Sequence, residues 1–94
     1  MSRTYATRVN HIKALNTVLS AREDFKSLEL FRHNATGEEY LFLTDIIGHV
    51  FMFDVTGYTR ASINHTLAQI DCGIKPRNLI TDNAKKLELA KMFR

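Results

Sequence analysis

The first regular pattern of the chain is an apolar stripe between residues 8 and 22. Its members are Val9, Ile12, Leu15, Val18 and Leu19. Side chains at this spacing lie on one face of an α-helix, so the stripe predicts an amphipathic helix over residues 8 to 22. Glu23 and Asp24 follow it. Because the negative end of a helix dipole disfavours acidic side chains, we expect the helix to end close to them.

The next segment, residues 27 to 43, alternates in the manner of a β-hairpin. Along its first strand Leu28, Leu30 and Arg32 alternate with Glu29, Phe31 and His33. Residues 34 to 37 form a turn cluster that ends in Gly37, which can adopt a positive φ. Residues 40 to 43 are rich in side chains that favour β-structure, and they form the predicted return strand.

Residues 44 to 57 are compatible with two structures. A helix is favoured because Thr44 is a suitable N-cap, Gly57 is a suitable end, and the apolar residues form a helical stripe. That stripe comprises Ile46, Ile47, Val50, Phe51 and Val55. A strand is favoured because residues 49 to 56 are dense in Val and Phe, and because Gly48 costs a helix about 1 kcal/mol. We favour the helix and keep a third strand as the alternative.

Two more helices are predicted in the last third of the chain. Thr59 can cap a helix over residues 59 to 71, and Gly73 can end it. Its buried stripe would be Ile63, Leu67 and Ile70. After a loop or short strand around Pro76, Asp82 can cap a helix over residues 82 to 93. There we expect the inward residues to be Ala84, Leu87, Ala90 and Met92 or Phe93, and the exposed residues to be Lys85, Lys86 and Lys91.

Together these elements predict an α+β fold for a single domain over residues 1 to 94. It has an N-terminal helix, a small antiparallel hairpin or meander, and C-terminal helices that include a helix-turn-helix-like pair. A chain of 94 residues buries only a modest fraction of its surface. We therefore expect a homodimer, since association adds buried area.

Cysteine content and hydropathy indicate where the protein acts. Cys72 is the single cysteine, so no internal disulfide can form and a reducing, cytoplasmic setting is expected. The longest apolar region, residues 40 to 55, is interrupted by polar residues and is shorter than the roughly 18 apolar residues of a membrane helix. We expect no signal peptide, no transmembrane helix and no membrane partner.

The positive charge of the chain is concentrated in its C-terminal part. The formal net charge is +3. Residues 1 to 58 carry six Lys or Arg and seven Asp or Glu, whereas residues 59 to 94 carry seven Lys or Arg and three Asp or Glu. This asymmetry favours an anionic partner for the C-terminal part, although a solvated basic face is an equally common explanation.

One stretch carries a family resemblance. Residues 57 to 70 resemble the turn and recognition helix of bacterial helix-turn-helix regulators. The turn glycine, capping hydroxyl, arginine and first buried apolar residue of that motif correspond to Gly57, Thr59, Arg60 and Ile63. The resemblance covers residues 45 to 71. It departs from the motif at Phe53, where a small residue is usual, and at Thr66, where an apolar one is usual. The strand-then-helix layout from Glu39 also looks like phage DNA-binding domains of the KilA-N and Bro N-terminal kind.

The resemblance implies a small DNA-binding regulator of phage or mobile-element origin. Its recognition helix, residues 59 to 71, would enter the major groove of double-stranded DNA. Arg60, Ser62, Asn64 and His65 would face the bases, because Arg can bind guanine and Asn can bind adenine through paired hydrogen bonds. Thr59 with Ser62 at the helix start, and Lys75 and Arg77 beyond the helix, would contact phosphates.

A second hypothesis is a small non-enzymatic module that binds a protein, such as a phage inhibitor or adaptor of a host protein. In that case the hydrophobic meander would offer an edge strand or an apolar patch. The structure of residues 49 to 56 discriminates the two, because a helix favours DNA and a strand favours the protein module.

Enzymatic and metal-dependent functions are not expected. The four histidines and Cys72 are not spaced like metal ligands, and no nucleophile lies next to a base in the sequence. Glu38 and Glu39 are neighbours in a predicted strand, so they would point to opposite faces and would not form an acid/base pair. The four glycines form no phosphate-binding loop. We therefore predict no catalytic residues, no metal and no cofactor.

Overall fold

A computed structural model describes residues 9–16, 25–33 and 35–93 of the chain. Residues 9–16 are helical and are labelled α1. Three strands follow: β1 (Phe25–Arg32), β2 (Glu39–Asp45) and β3 (Val50–Asp54). Two helices complete the described fold: α2 (Arg60–Asp71) and α3 (Asn83–Phe93). The predicted α+β class, with an N-terminal helix before the strands and helices after them, is confirmed.

The three strands form an antiparallel meander with the order β1-β2-β3. Leu30 lies opposite Leu41 in the first pair, and Leu41 lies opposite Phe53 in the second. The hairpin between β1 and β2 was predicted and is confirmed, including its turn through Gly37. β2 is the central strand, and its first five residues are all buried. Both faces of the sheet are therefore covered, as expected for a nearly continuous apolar strand.

One face of the sheet packs against α1 and α2. The buried residues of this layer are Ile12, Leu28, Leu41, Leu43, Phe53, Val55 and Ile63. Ile12 comes from α1 and Ile63 from α2, and both helices contribute part of their predicted apolar stripes. Val18 and Leu19 of the predicted stripe, and the predicted helix end near residue 23, lie outside the described residues.

The other face of the sheet packs against α3. Tyr40, Phe42, Met52 and Leu89 form its buried cluster. The ring of Phe31 makes an edge-on contact with Phe42 at 4.8 Å between centroids and stacks on Phe93 at 5.1 Å. Such pairs add stabilisation beyond area burial, and the aromatic residues of this layer are Phe31, Tyr40, Phe42 and Phe93.

The favoured prediction of a helix over residues 44 to 57 is wrong, and the alternative of a third strand is correct. β2 continues to Asp45, and a turn over residues 46–49 leads directly into β3. Gly48 has a φ of 94°, which a side chain would disfavour, and this places it in the turn. The first helix of the predicted helix-turn-helix-like pair is therefore absent, and so is the strand-to-helix layout after Glu39. Met52 pairs with Phe42 across the sheet, a non-local interaction that outweighs the local helical spacing.

In α3 the predicted buried side differs from the observed one. Asp82 caps the helix as expected, because its Oδ1 accepts a hydrogen bond from the Ala84 N–H at 3.2 Å. Leu87 was predicted to face the core, but it is 64% exposed, whereas Leu89 is fully buried. Ala84 is also exposed, while Ala90 and Phe93 pack on the aromatic layer as predicted. Lys85, expected to be exposed, lies half-buried with its Nζ 5.5 Å from the centre of the Tyr40 ring.

Side chains and loops cover parts of both outer sheet edges. On β1, the Asn16 carboxamide from α1 bonds to both backbone groups of Leu28, accepting from its N–H at 2.7 Å. On β3, the Ile80 N–H donates to the Met52 carbonyl at 2.8 Å and the Asp54 N–H donates to the Asn78 carbonyl at 3.0 Å. These contacts fix the 78–80 segment against the sheet. No helix in the described part of the chain is long and apolar enough to cross a lipid bilayer.

Candidate nucleic-acid interface

A hydrogen-bonded turn between β3 and α2 sets the start of α2. The backbone carbonyl of buried Glu39 accepts a hydrogen bond from the Val55 N–H at 2.9 Å. Its carboxylate Oε1 accepts another from the Gly57 N–H at 3.3 Å. The Thr56 N–H and hydroxyl both donate to Asp54 Oδ1. The central strand thus holds the chain at the point where the helix begins.

Both ends of α2 are as the sequence predicts. Thr59 is the N-cap, with its hydroxyl accepting from the Ser62 N–H at 3.3 Å. At the other end Gly73 has a φ of 75°, and its N–H donates to the Ile70 carbonyl. The Ile74 N–H donates to the Gln69 carbonyl, so the last carbonyls are satisfied by the left-handed glycine stop.

The buried side of α2 includes a threonine in a core position. Ile63 and Thr66 are buried, and Leu67 and Ile70 pack half-buried against the aliphatic layer. Thr66 takes the place where an apolar residue was expected, and its hydroxyl donates to the Ser62 carbonyl at 3.2 Å. The hydrogen bond within the helix removes most of the cost of burying the hydroxyl.

A groove runs along one flank of α2 and has a volume of about 730 Å³. Five lining residues come from α2: Ala61, Ser62, His65, Thr66 and Gln69. The other three are Tyr58, Arg77 and Asn78. Of the predicted site residues, the fold brings Ser62, His65 and Arg77 together here. No Asp or Glu is among the described residues that line the groove. It therefore offers hydrogen-bond donors and a fixed positive charge, which suits an anionic group.

Arg77 is positioned by its neighbour Asn78. The side-chain Nδ2 of Asn78 donates to the Asp54 carbonyl at 3.1 Å, and its backbone carbonyl accepts from the Asp54 N–H. Because Asn78 is tied twice to the end of β3, Arg77 starts from a fixed backbone. Tyr58 and Asn78 were not in the predicted site. Asn78 is placed by its pairing with Asp54, which no local pattern in the sequence indicates, and the Tyr58 N–H donates to the Val55 carbonyl in the turn before α2.

The other predicted residues lie outside the groove. Arg60 is exposed in the first turn of α2. Asn64 is exposed on the opposite flank, where its Oδ1 is 2.8 Å from His11 Nε2 of α1. The Thr59 hydroxyl is engaged as the cap and also lies 3.1 Å from the Ser62 hydroxyl. Lys75 lines a separate apolar pocket on the other side of the 76–79 segment.

The surface formed by α1 and α2 has an uneven charge composition. Residues 9–16 and 60–70 contain the cations Lys13 and Arg60 and the histidines His11 and His65, but no Asp or Glu. The His11–Asn64 contact joins the two helices at this surface. Acidic side chains appear at its borders, at Asp54 and Asp71. The described part of this surface therefore carries two cations between acidic borders.

The opposite side of the sheet has its charges in a compact cluster. The Tyr40 hydroxyl donates to Glu38 Oε1 at 3.0 Å, and the Thr36 hydroxyl donates to Glu38 Oε2 at 2.8 Å. Hydrogen bonds from Thr36 and Tyr40 hold the pKa of Glu38 below its ordinary value. Burial and the bond to Glu38 raise the pKa of Tyr40. Burial lowers the pKa of Lys85, but contacts with Tyr40, Glu88 and Glu38 outweigh it and raise that pKa overall.

Within residues 9–16, 25–33 and 35–93, no three His, Cys, Asp or Glu side chains are grouped to hold a metal ion. The chain was also compared with protein-family models, with curated proteins and with solved structures. None of them matches it.

Proposed function

We propose that this protein binds double-stranded DNA in the cytoplasm as a small regulator, using the α1–α2 surface and the adjoining groove. The observation that carries the proposal is the groove itself. Arg77 lines the groove together with Ser62 and His65 of α2. No acidic residue is among the described residues that line it. Phosphate contacts supply most of the non-specific affinity of a DNA-binding protein, and they need this combination of charge and hydrogen-bond donors.

The DNA would be held differently from the geometry of a helix-turn-helix protein. No helix precedes α2 at residues 44 to 57. Instead α2 lies beside α1 on one face of the sheet, and the groove runs along one flank of α2. Arg77, His65 and Ser62 would contact one phosphate strand along the groove. Arg60, exposed at the helix start, would be the main side chain to reach a base.

Asn64 contributes less to base recognition than the sequence predicts. Paired hydrogen bonds to adenine need both the oxygen and the nitrogen of the Asn carboxamide. The oxygen of Asn64 already faces His11 at 2.8 Å. We expect Asn64 to donate from its nitrogen only, which contributes less discrimination between bases.

The test is a salt series of duplex-DNA binding by fluorescence anisotropy, with Arg77→Ala as the principal variant. Removing one phosphate contact should weaken binding to all sequences and lower the salt slope by about 1. Arg60→Ala should cost about 1–3 kcal/mol on a specific site. Lys91→Ala, an exposed cation on α3, is the control and should leave both quantities unchanged. A complete lack of salt-dependent affinity for duplex DNA would refute the proposal.

A second candidate function, binding to another protein, is favoured by two observations, and the first of them is the strand that was expected to indicate a protein-binding module. Residues 50 to 54 form a strand, and the end of the molecule at the β2–β3 turn displays large apolar side chains. Exposed apolar clusters of this kind are common at protein interfaces. Co-purification of a stoichiometric partner by the wild-type protein, together with absent DNA binding, would support this candidate over the first.

A further inference from the structure

Four large hydrophobic side chains are exposed near the β2–β3 turn and the end of α2. Ile46 is 62% exposed, Ile47 is 74%, Phe51 is 38% and Ile74 is 54%. Phe51 is four residues from Ile47 along the chain, so at the rise of a strand it lies within roughly 13 Å of the turn. We call these four residues the apolar end. It has two parts, a turn and a pocket.

The turn is a projecting part with a fixed backbone. Asp45 Oδ1 accepts hydrogen bonds from the Ile47 N–H at 3.1 Å and the His49 N–H at 2.8 Å. The Gly48 N–H donates to the Asp45 carbonyl, and the Asp45 N–H donates to the His49 carbonyl. Ile46 and Ile47 therefore lie on an ordered turn. Because the turn is already ordered, binding costs less conformational entropy.

The pocket is the receiving part, and it is apolar. It has a volume of about 190 Å³, and the lining residues include Phe51, Phe53, Ile70, Ile74 and Leu79. Lys75 is the charged residue that lines it. The Phe53–Leu79 bridge and the glycine stop of α2 hold its walls in place. A pocket of this size and lining accepts an aliphatic side chain.

We propose that the apolar end is the interface between two copies of this chain, with the Ile46–Ile47 turn of each copy in the pocket of the other. A two-fold contact requires that the projecting and receiving parts lie on the same patch of one molecule. Here Ile47 of the turn and Phe51 of the pocket wall are four residues apart along the chain, which keeps the two parts within roughly 13 Å of each other. This inference does not depend on DNA binding.

Charge favours a second copy as the occupant. The turn carries the carboxylate of Asp45, which is 17% exposed and whose Oδ2 lies 3.4 Å from Nδ1 of its own His49, and the pocket carries Lys75. In a two-fold pair each Asp45 would face the partner's Lys75, so the same complementarity occurs twice. In this arrangement Lys75 would pair with a carboxylate of the second copy. Its position beside the apolar pocket supports this role better than a contact with DNA phosphate.

The experiment is sedimentation velocity of the full chain over a concentration series, with Ile47→Asn as the main variant. Wild type should shift from monomer to dimer as concentration rises, and Ile47→Asn should raise the dimer Kd roughly tenfold or more. Leu87→Asn is the matched control, because Leu87 is an equally exposed leucine-sized side chain on α3. It should leave the Kd unchanged. Circular dichroism checks that each variant is folded.

A charge variant and a spectroscopic map complete the test. Lys75→Glu should weaken the dimer, and dilution should shift NMR signals of the apolar end while those of α3 stay constant. A wild type that stays monomeric at every concentration overturns the proposal, and so does a dimer that Leu87→Asn weakens as much as Ile47→Asn. Since Arg77→Ala reports on DNA binding and Ile47→Asn on self-association, either proposal can fail alone.

Discussion

The two faces of the sheet are both covered by helices, yet they are built from different residues. The α1–α2 face is largely aliphatic, with Leu41, Leu43 and Ile63 at its centre. The α3 face is aromatic, with Phe31, Phe42 and Phe93 in mutual ring contact. Their outer surfaces also differ, because the described residues of α1 and the first eleven residues of α2 contain no carboxylate.

On the α3 side, charges of both signs are close together. Lys85 lies 3.9 Å from Glu88 and beside Tyr40, which in turn donates to Glu38. Charges arranged in this way interact mainly within the molecule. In the described residues 9–16 and 60–70 the α1–α2 side has no carboxylate, and it borders a polar groove. The DNA-binding proposal assigns the anionic partner to this side.

Removing an aromatic ring from the α3 face should have the largest effect on the free energy of unfolding. Phe42→Ala should lower the free energy of unfolding by about 3–5 kcal/mol, because Phe42 is fully buried in the central strand. That is a large share of the roughly 5–15 kcal/mol that stabilises a typical domain. Urea unfolding followed by circular dichroism measures it. Phe51→Ala, a partly exposed phenylalanine on the next strand, is the control and should cost much less.

The attachment of α3 gives a second, smaller effect. Leu89→Ala should cost about 2–5 kcal/mol, because Leu89 is the fully buried contact of α3 with the aromatic layer. Leu87→Ala should change stability by less than about 0.5 kcal/mol, because Leu87 is mostly solvated. Chemical denaturation of both variants compares them directly. Equal losses would mean that α3 packs with a different face than the one described.

Leu87 and Leu89 show why part of the fold could not be predicted from the sequence. Local signals identified the ends of elements well: Thr59, Gly73 and Asp82 occupy the predicted caps and stop. The side of α3 that meets the sheet was not predictable from spacing. Lys85 lies on the covered side, where its Nζ is 5.5 Å from the centre of the Tyr40 ring, a contact that helical spacing does not indicate.

The helix prediction for residues 44 to 57 was wrong for a related reason. The apolar residues of this segment fit a helical stripe, although Ile46 and Ile47 are exposed in the turn and Phe51 is partly exposed on β3. The pairing partners Phe42 and Ile80 of Met52 decide the outcome. For the candidate site, the side chains on α2 were predictable from its stripe. The Arg77 wall of the groove was not, because it is placed by long-range backbone pairing with Asp54.

A third effect tests the charge difference between the two sides. Ala68 is exposed on α2 and Ala84 is exposed on α3, so each can be replaced by Glu without filling the core. Ala68→Glu should weaken duplex-DNA binding by roughly 1 kcal/mol, through repulsion between the new carboxylate and nearby phosphates. Ala84→Glu adds the same charge to the other side and should leave affinity unchanged. Equal weakening by both variants would indicate an effect of net charge alone.

The smallest effect concerns the charge cluster beside α3 and its dependence on pH. The folded-state pKa of Glu38 lies below the ordinary value of 4.5. The ionised form is therefore favoured by folding, and its contribution is present above pH 4.5 and lost as pH falls through the folded-state pKa. Glu38→Gln should flatten the stability profile in that acidic window. NMR titration of the Glu38 carboxyl checks the direction independently, and a pKa at or above the ordinary value would mean that the Thr36 and Tyr40 hydroxyls do not hold it in solution.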